Sequence, residues 1–173
     1  MRLSNNSCKS AISSWVATKQ EELALENHIY VEGLGRVDQI WHWLKANHGN
    51  LLALDAPHAT HPEKYNYSQL SDIIDISASA FKSFGIEKGD VIGLFSENSP
   101  RWLIADQGIM RVDAIDAVRG ASAPIEELRY ILEDSKAIAL VVQTAELFHE
   151  IQLSQDQKSR LKLILQLEGE PAE

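Results

Sequence analysis

The sequence predicts an α/β fold in which a mostly parallel sheet is flanked by helices on both faces. Two continuous apolar runs, Val91–Phe95 and Ala137–Val142, have strand length and lack polar alternation, the pattern of strands covered on both sides. A further strand, Ala114–Val118, lies between them, and the segments separating the three carry apolar residues at helical spacing. Such alternation implies right-handed crossovers and one sheet between two helical layers. With 173 residues and 45% hydrophobic content, the chain can fill one ordinary core.

Taken in order, residues 1–35 form a polar segment with scattered apolar side chains, among them Trp15, Val16, Leu23 and Leu25, for which one or two loosely attached helices are expected. Residues 36–173 then read as an incomplete domain. Val37, Ile40, Trp41 and Leu44 mark a helix to Ala46, Asn47-His48-Gly49-Asn50 stops it, and Leu51–Leu54 begins an extended run closed by Asp55-Ala56-Pro57. After a turn-rich stretch, Tyr65-Asn66-Tyr67 alternates like a strand, and Ser68 is placed to cap the next helix.

That helix carries Leu70, Ile73, Ile74, Ala78, Phe81 and Phe84 on one face. Gly85 supplies the left-handed stop and Ile86 the fold-back contact. Strand Val91–Phe95 is expected at the centre of the sheet. Ser99-Pro100 starts a helix with Trp102, Leu103, Ile109 and Met110 inward, because proline's preset φ suits the first turn. Strand Ala114–Val118 follows, and Pro124 opens a helix burying Leu128, Ile131 and Leu132. Glu126 and Glu127 favour that helix's positive end. A shorter helix over Ala145–Ile151 and the run Leu161–Leu167 add a last unit, and the polar end Glu168–Glu173, arriving straight after a strand, implies a truncated domain.

Composition excludes several functions. A formal net charge of -9 opposes nucleic-acid binding, which needs clustered Lys and Arg. Cys8 is the single cysteine, so neither an intrachain disulfide nor a Cys-based zinc cage can form, which suits a reducing, cytoplasmic setting. The N-terminus lacks the apolar stretch of a signal peptide, and Ala137–Val142 is too short to span a bilayer, so membrane contact would be peripheral. His58 and His61 share a loop but lack a third ligand nearby, and no metal site is expected.

Ligands of open parallel sheets bind beyond the carboxyl ends of the strands. Three segments fall there: Ser96–Trp102, Arg119–Ser122 and Gln143-Thr144. The candidate substrate-binding residues are Glu97, Asn98, Arg119, Gly120 and Ser122, although strand-to-helix punctuation is the simpler role of each. A guanidinium beside a glycine can hold a carboxylate or phosphate, and Arg119 can equally tie to Asp116 or Glu126. No glycine-rich phosphate loop occurs, and no residue is assigned to catalysis or cofactor binding.

The ordered runs Tyr65-Asn66-Tyr67-Ser68-Gln69-Leu70, Val91–Trp102 with Ala105–Met110, and Asp116–Pro124 with Glu127–Leu132 resemble the AMP-forming long-chain fatty acid ligases, which include acyl-acyl-carrier-protein synthetases and long-chain acyl-CoA ligases. The resemblance covers Ile40–Leu167. It departs from the family at Arg111-Val112-Asp113, where small residues are usual, and at Ala121, which replaces a common serine.

It implies the N-terminal subdomain of the adenylate-forming fold and a two-step reaction. Fatty acid and ATP, with Mg2+, give an acyl-adenylate, and the acyl group then passes to acyl carrier protein or CoA. The phosphate loop, the nucleotide contacts and the C-terminal lysine of that family are not in this sequence, so the chain alone is expected to bind no cofactor and to be inactive. Two other readings stand beside it: a non-catalytic module pairing with acyl carrier protein or with the missing part, and a different adenylate-forming enzyme. Uncovered sheet edges would favour self-association.

Overall fold

The computed structural model describes residues 34–59 and 62–169. The expected helices of residues 1–33, Cys8 and His61 lie outside them. All elements below belong to the unit Gly35–Glu173.

A short 3-10 turn, Val37–Gln39, leads into α1, Ile40–His48. The helix expected from Val37 therefore begins in the tighter form, and Val37 is exposed. Strand β1, Leu52–Ala56, pairs antiparallel with β2, Glu63–Asn66, as a separate two-stranded sheet. Helix α2, Tyr67–Ser83, starts one residue before the expected cap: Asn66 is the N-cap, its side chain accepting from the Gln69 N–H while Gln69 accepts from the Asn66 N–H. This reciprocal pair satisfies two otherwise free donors. Ser68 lies inside the first turn because β2 holds Asn66 extended.

The end of α2 follows expectation. Gly85 takes φ 77, and the Ile86 N–H returns to the Phe81 carbonyl at 3.1 Å, with Ile86 buried. Phe84 departs from it. Placed at the C-cap, it has left the helical path and is 55% exposed.

The main sheet is four-stranded and parallel, in the order β4-β3-β5-β6. Strand β3, Val91–Phe95, is paired on both sides, by β4 (Ile115–Arg119) and β5 (Ala139–Val142), and β6 (Leu163–Gln166) lies beyond β5. Ile92 and Leu94 with Ala139 and Val141 point into one core, which holds Phe81, Ala105 and Ile109 from α2 and α3 (Pro100–Arg111). Phe95 with Leu140 and Val142 points into a second core, filled by Leu128 and Leu132 of α4 (Ile125–Asp134) and Leu147 and Ile151 of α5 (Ala145–Ile151). The two-residue side-chain period thus divides each central strand between two helical layers. A Cβ on Gly93 would lie 3.1 Å from Leu140 and 3.2 Å from Leu132, so the glycine lets both leucines close over β3.

Helix α6, Gln155–Arg160, lies where the sequence reading has no element. It carries no apolar stripe and is started by a capping box in which Ser154 and Gln157 bond reciprocally.

Candidate functional site

Parallel strands bring their carboxyl ends to one edge, and the register sets what meets there. Phe95 stands opposite both Arg119 and Val142, so the loops after β4, β3 and β5 emerge side by side. Each loop then enters a helix. Ser99 caps α3 by accepting from the Trp102 N–H at 3.0 Å, with Pro100 in the first turn, and Thr144 caps α5 by accepting from the Leu147 N–H. Helix α4 has no side-chain cap, and Glu126 and Glu127 in its first turn meet the positive end instead.

The three predicted segments meet at this edge. Buried Ser96 receives no ligand-facing role: its N–H donates to the Arg119 carbonyl and its hydroxyl to the Glu97 carbonyl. The Glu97 N–H donates to Gln143 Oε1 at 3.0 Å, and Glu97 Oε1 accepts from the Ser122 N–H at 2.9 Å. The contacts of its carboxylate hold Glu97 below the ordinary carboxylate range. The Ser122 N–H contributes most, and the Ser122 side chain, the Ala121 N–H and Arg119 add to it. Asn98 is exposed on the same loop.

Arg119 makes a forked contact with Glu127, Nε to Oε1 at 2.7 Å and Nη2 to Oε2 at 3.3 Å. The structural tie allowed for this arginine therefore exists, but with Glu127 rather than Asp116 or Glu126. The sequence hid this partner because strand geometry carries Arg119 across the intervening loop to the first turn of α4, and no helical spacing relates the two. Glu127 raises the arginine's proton affinity further.

An open cavity of about 390 Å³ adjoins this edge. Glu97, Ser122, Gln143 and Thr144 line it together with Glu146 and Glu150 of α5. Sequence spacing gives no sign of the last two, because only folding brings that face of α5 beside the loop after β4. Glu146 is also held ionised, by its own N–H and the Thr144 side chain. Every charged side chain in this lining is a carboxylate, a surface suited to neutral or cationic groups and unfavourable to polyphosphate.

Comparison with known proteins agrees with this architecture. The family model of the AMP-binding enzymes matches residues 41–173. The long-chain-fatty-acid--[acyl-carrier-protein] ligase AEE15, chloroplastic, of Arabidopsis thaliana is 37% identical over 134 residues, which are 78% of this chain and 18% of that protein. The chain spans about a fifth of the length of the curated relatives it matches.

Among solved structures, the inhibitor-bound N-terminal domain of FACL13 from Mycobacterium tuberculosis superposes with a TM-score of 0.70 at 18% identity, over 77% of this chain and 33% of that one. A long-chain-fatty-acid-CoA ligase, FadD1, from Archaeoglobus fulgidus also reaches 0.70, at 21% identity, over 82% of this chain and 29% of that one. Both share the fold. With its parallel sheet flanked by helices as in these structures and the family match running from residue 41 to 173, the chain belongs to the AMP-binding enzymes.

Proposed function

We propose that the chain is the N-terminal part of an ATP-dependent, AMP-forming long-chain fatty acid ligase and is inactive by itself. In the whole enzyme, fatty acid and ATP form an acyl-adenylate, and acyl carrier protein or CoA then accepts the acyl group. The observation carrying the fatty-acid assignment is the 37% identity to a long-chain-fatty-acid--[acyl-carrier-protein] ligase, strong enough to favour that branch over other adenylate-forming enzymes.

The inactivity follows from charge. Stabilising the transferring phosphoryl and acyl oxygens requires donors and a cation aimed at the reacting atoms. At the sheet's carboxyl edge the guanidinium of Arg119 is engaged by Glu127, and the adjoining cavity is lined by Glu97, Glu146 and Glu150. These residues do not fit a triphosphate with its Mg2+, and no step of the reaction is routed through them. Nucleotide handling belongs to residues of the longer family chains. In this reading the rim of Glu97, Asn98, Arg119, Gly120 and Ser122 faces the acyl substrate and supports the missing parts.

The test is ATP–pyrophosphate exchange with palmitate. The 173-residue chain is expected to give none, whereas a coding sequence that continues in frame into a Ser/Thr/Gly-rich phosphate loop should restore exchange. Robust exchange by the 173-residue chain alone would overturn the proposal.

A further inference from the structure

We propose that Glu97 is the positioning residue of the sheet's carboxyl edge, its carboxylate serving as the resident anion of the Gly120-Ala121-Ser122 turn. Through this seat and Gln143 it sets the relative placement of the three loops that form the rim. The proposal takes its functional meaning from the acyl-ligase reading, but its test requires no catalysis.

Both ends of the residue are used, and on different neighbours. The backbone N–H bonds Gln143 Oε1 on the loop after β5, and the side chain bonds the Ser122 N–H on the loop after β4. Since β3 lies between β4 and β5, a residue just after β3 is placed so that its side chain and its own backbone reach both loops.

Gly120 fits this arrangement. A Cβ there would stand 3.1 Å from Glu97 Oε1 and 3.5 Å from Oε2, so the missing side chain lets the carboxylate lie against the turn. The Ser122 N–H is the main donor of the seat, joined by the Ser122 side chain and the Ala121 N–H, while the neighbouring guanidinium is committed to Glu127. Backbone donors cannot rotate away, so the contact is directional in a way that a pairing with a long flexible cation is not. Glu146 and Glu150 across the cavity disfavour an outside anion in the same place.

Amide NMR of the 15N-labelled chain tests the assignment. The Ser122 amide shift should titrate with a midpoint below the carboxyl's ordinary 4.5, because the bond is present while Glu97 is ionised and is lost as pH falls through its lowered value. In Glu97→Gln that titration should vanish while the rest of the spectrum keeps its dispersion. Exchange of the Ser122 amide should then rise by up to about tenfold, the effect of weakening one exposed hydrogen bond.

A Ser122 amide that stays flat through the carboxylate range in the wild-type chain would overturn the proposal, without requiring any variant to fold. Inorganic phosphate moving the Ala121 and Ser122 amides of the wild type would also overturn it, because an outside anion would then take the donors assigned to Glu97. Either result leaves the acyl-ligase reading intact, and pyrophosphate exchange by this chain alone would overturn that reading without touching the role of Glu97.

Discussion

At Asp106, on α3, three effects raise the carboxyl's proton affinity, the weakest being the charge of Asp116. Half-burial is the largest, a hydrogen bond with Asp116 of β4 is second, and together they push the group up to about 6 against the opposing donor Gln107. Gln107 in turn accepts from Trp41 Nε1 at 2.6 Å, so the pair is anchored to α1. The folded state therefore holds a proton that the unfolded chain releases near the ordinary aspartate value. Stability from this group is present at low pH and is lost as pH rises toward about 6. Glu97, Asp113, Glu133 and Glu146 are held low and act oppositely, losing their contribution only below the ordinary glutamate and aspartate values. Thermal unfolding followed against pH should show stability rising from about pH 7 to about pH 5 and falling below it. Asp106→Asn should remove the rise and stabilise the neutral-pH protein by on the order of 1 kcal/mol once solvent screening is allowed for. None of this could be read from sequence, where Asp106 and Asp116 are unremarkable acids ten positions apart on different elements.

Among the elements, the crossing of α2 and α3 is set by Gly108. A Cβ there would lie 2.8 Å from the Ser77 Cβ and 3.3 Å from the Ala78 backbone N, closer than the helices can tolerate unless one moves. Gly108→Ala gains about 1 kcal/mol in helix propensity but overpacks the crossing by about 2–3 kcal/mol. A lower urea midpoint is therefore expected, and an unchanged or higher one would mean that α2 slides to make room. Legibility varied at this scale for physical reasons. The cap at Ser99 was visible because side chain and N–H are three residues apart, a purely local matter. The cap of α2 was assigned to Ser68 rather than Asn66 because the start of that helix depends on where β2 ceases to pair with β1. Helix α6 escapes a reading by hydrophobic period because its residues are polar all round, and its local signal is the capping box of Ser154 and Gln157.

For the molecule as a whole, the strands at the two edges of the sheet are the exposed ones. Ile115 and Val118 of β4, and Ile164 and Leu165 of β6, are open to solvent, and Phe84 lines a small groove with Leu163 and Leu165. Unpaired strand edges with apolar side chains favour association, and the net charge of -9 opposes it until salt screens the repulsion. Sedimentation velocity should show self-association that grows with protein and salt concentration, reduced by Ile115→Lys or Ile164→Lys. A monodisperse monomer at high concentration and high salt would contradict this.

Hydrophobic period, helix stops and motif order, all written along the chain, gave away every element of the main sheet, the helices other than α6, the central place of Val91–Phe95 and the family. The sequence also placed three loops at one edge, since parallel strands must end together. The order β4-β3-β5-β6, the pairing of Arg119 with Glu127 and the seating of Glu97 on Ser122 came from the folded chain alone. Those partners are 8 and 25 positions apart, and short-range periodicity is silent about which distant backbone groups a strand register will bring within a hydrogen bond of each other.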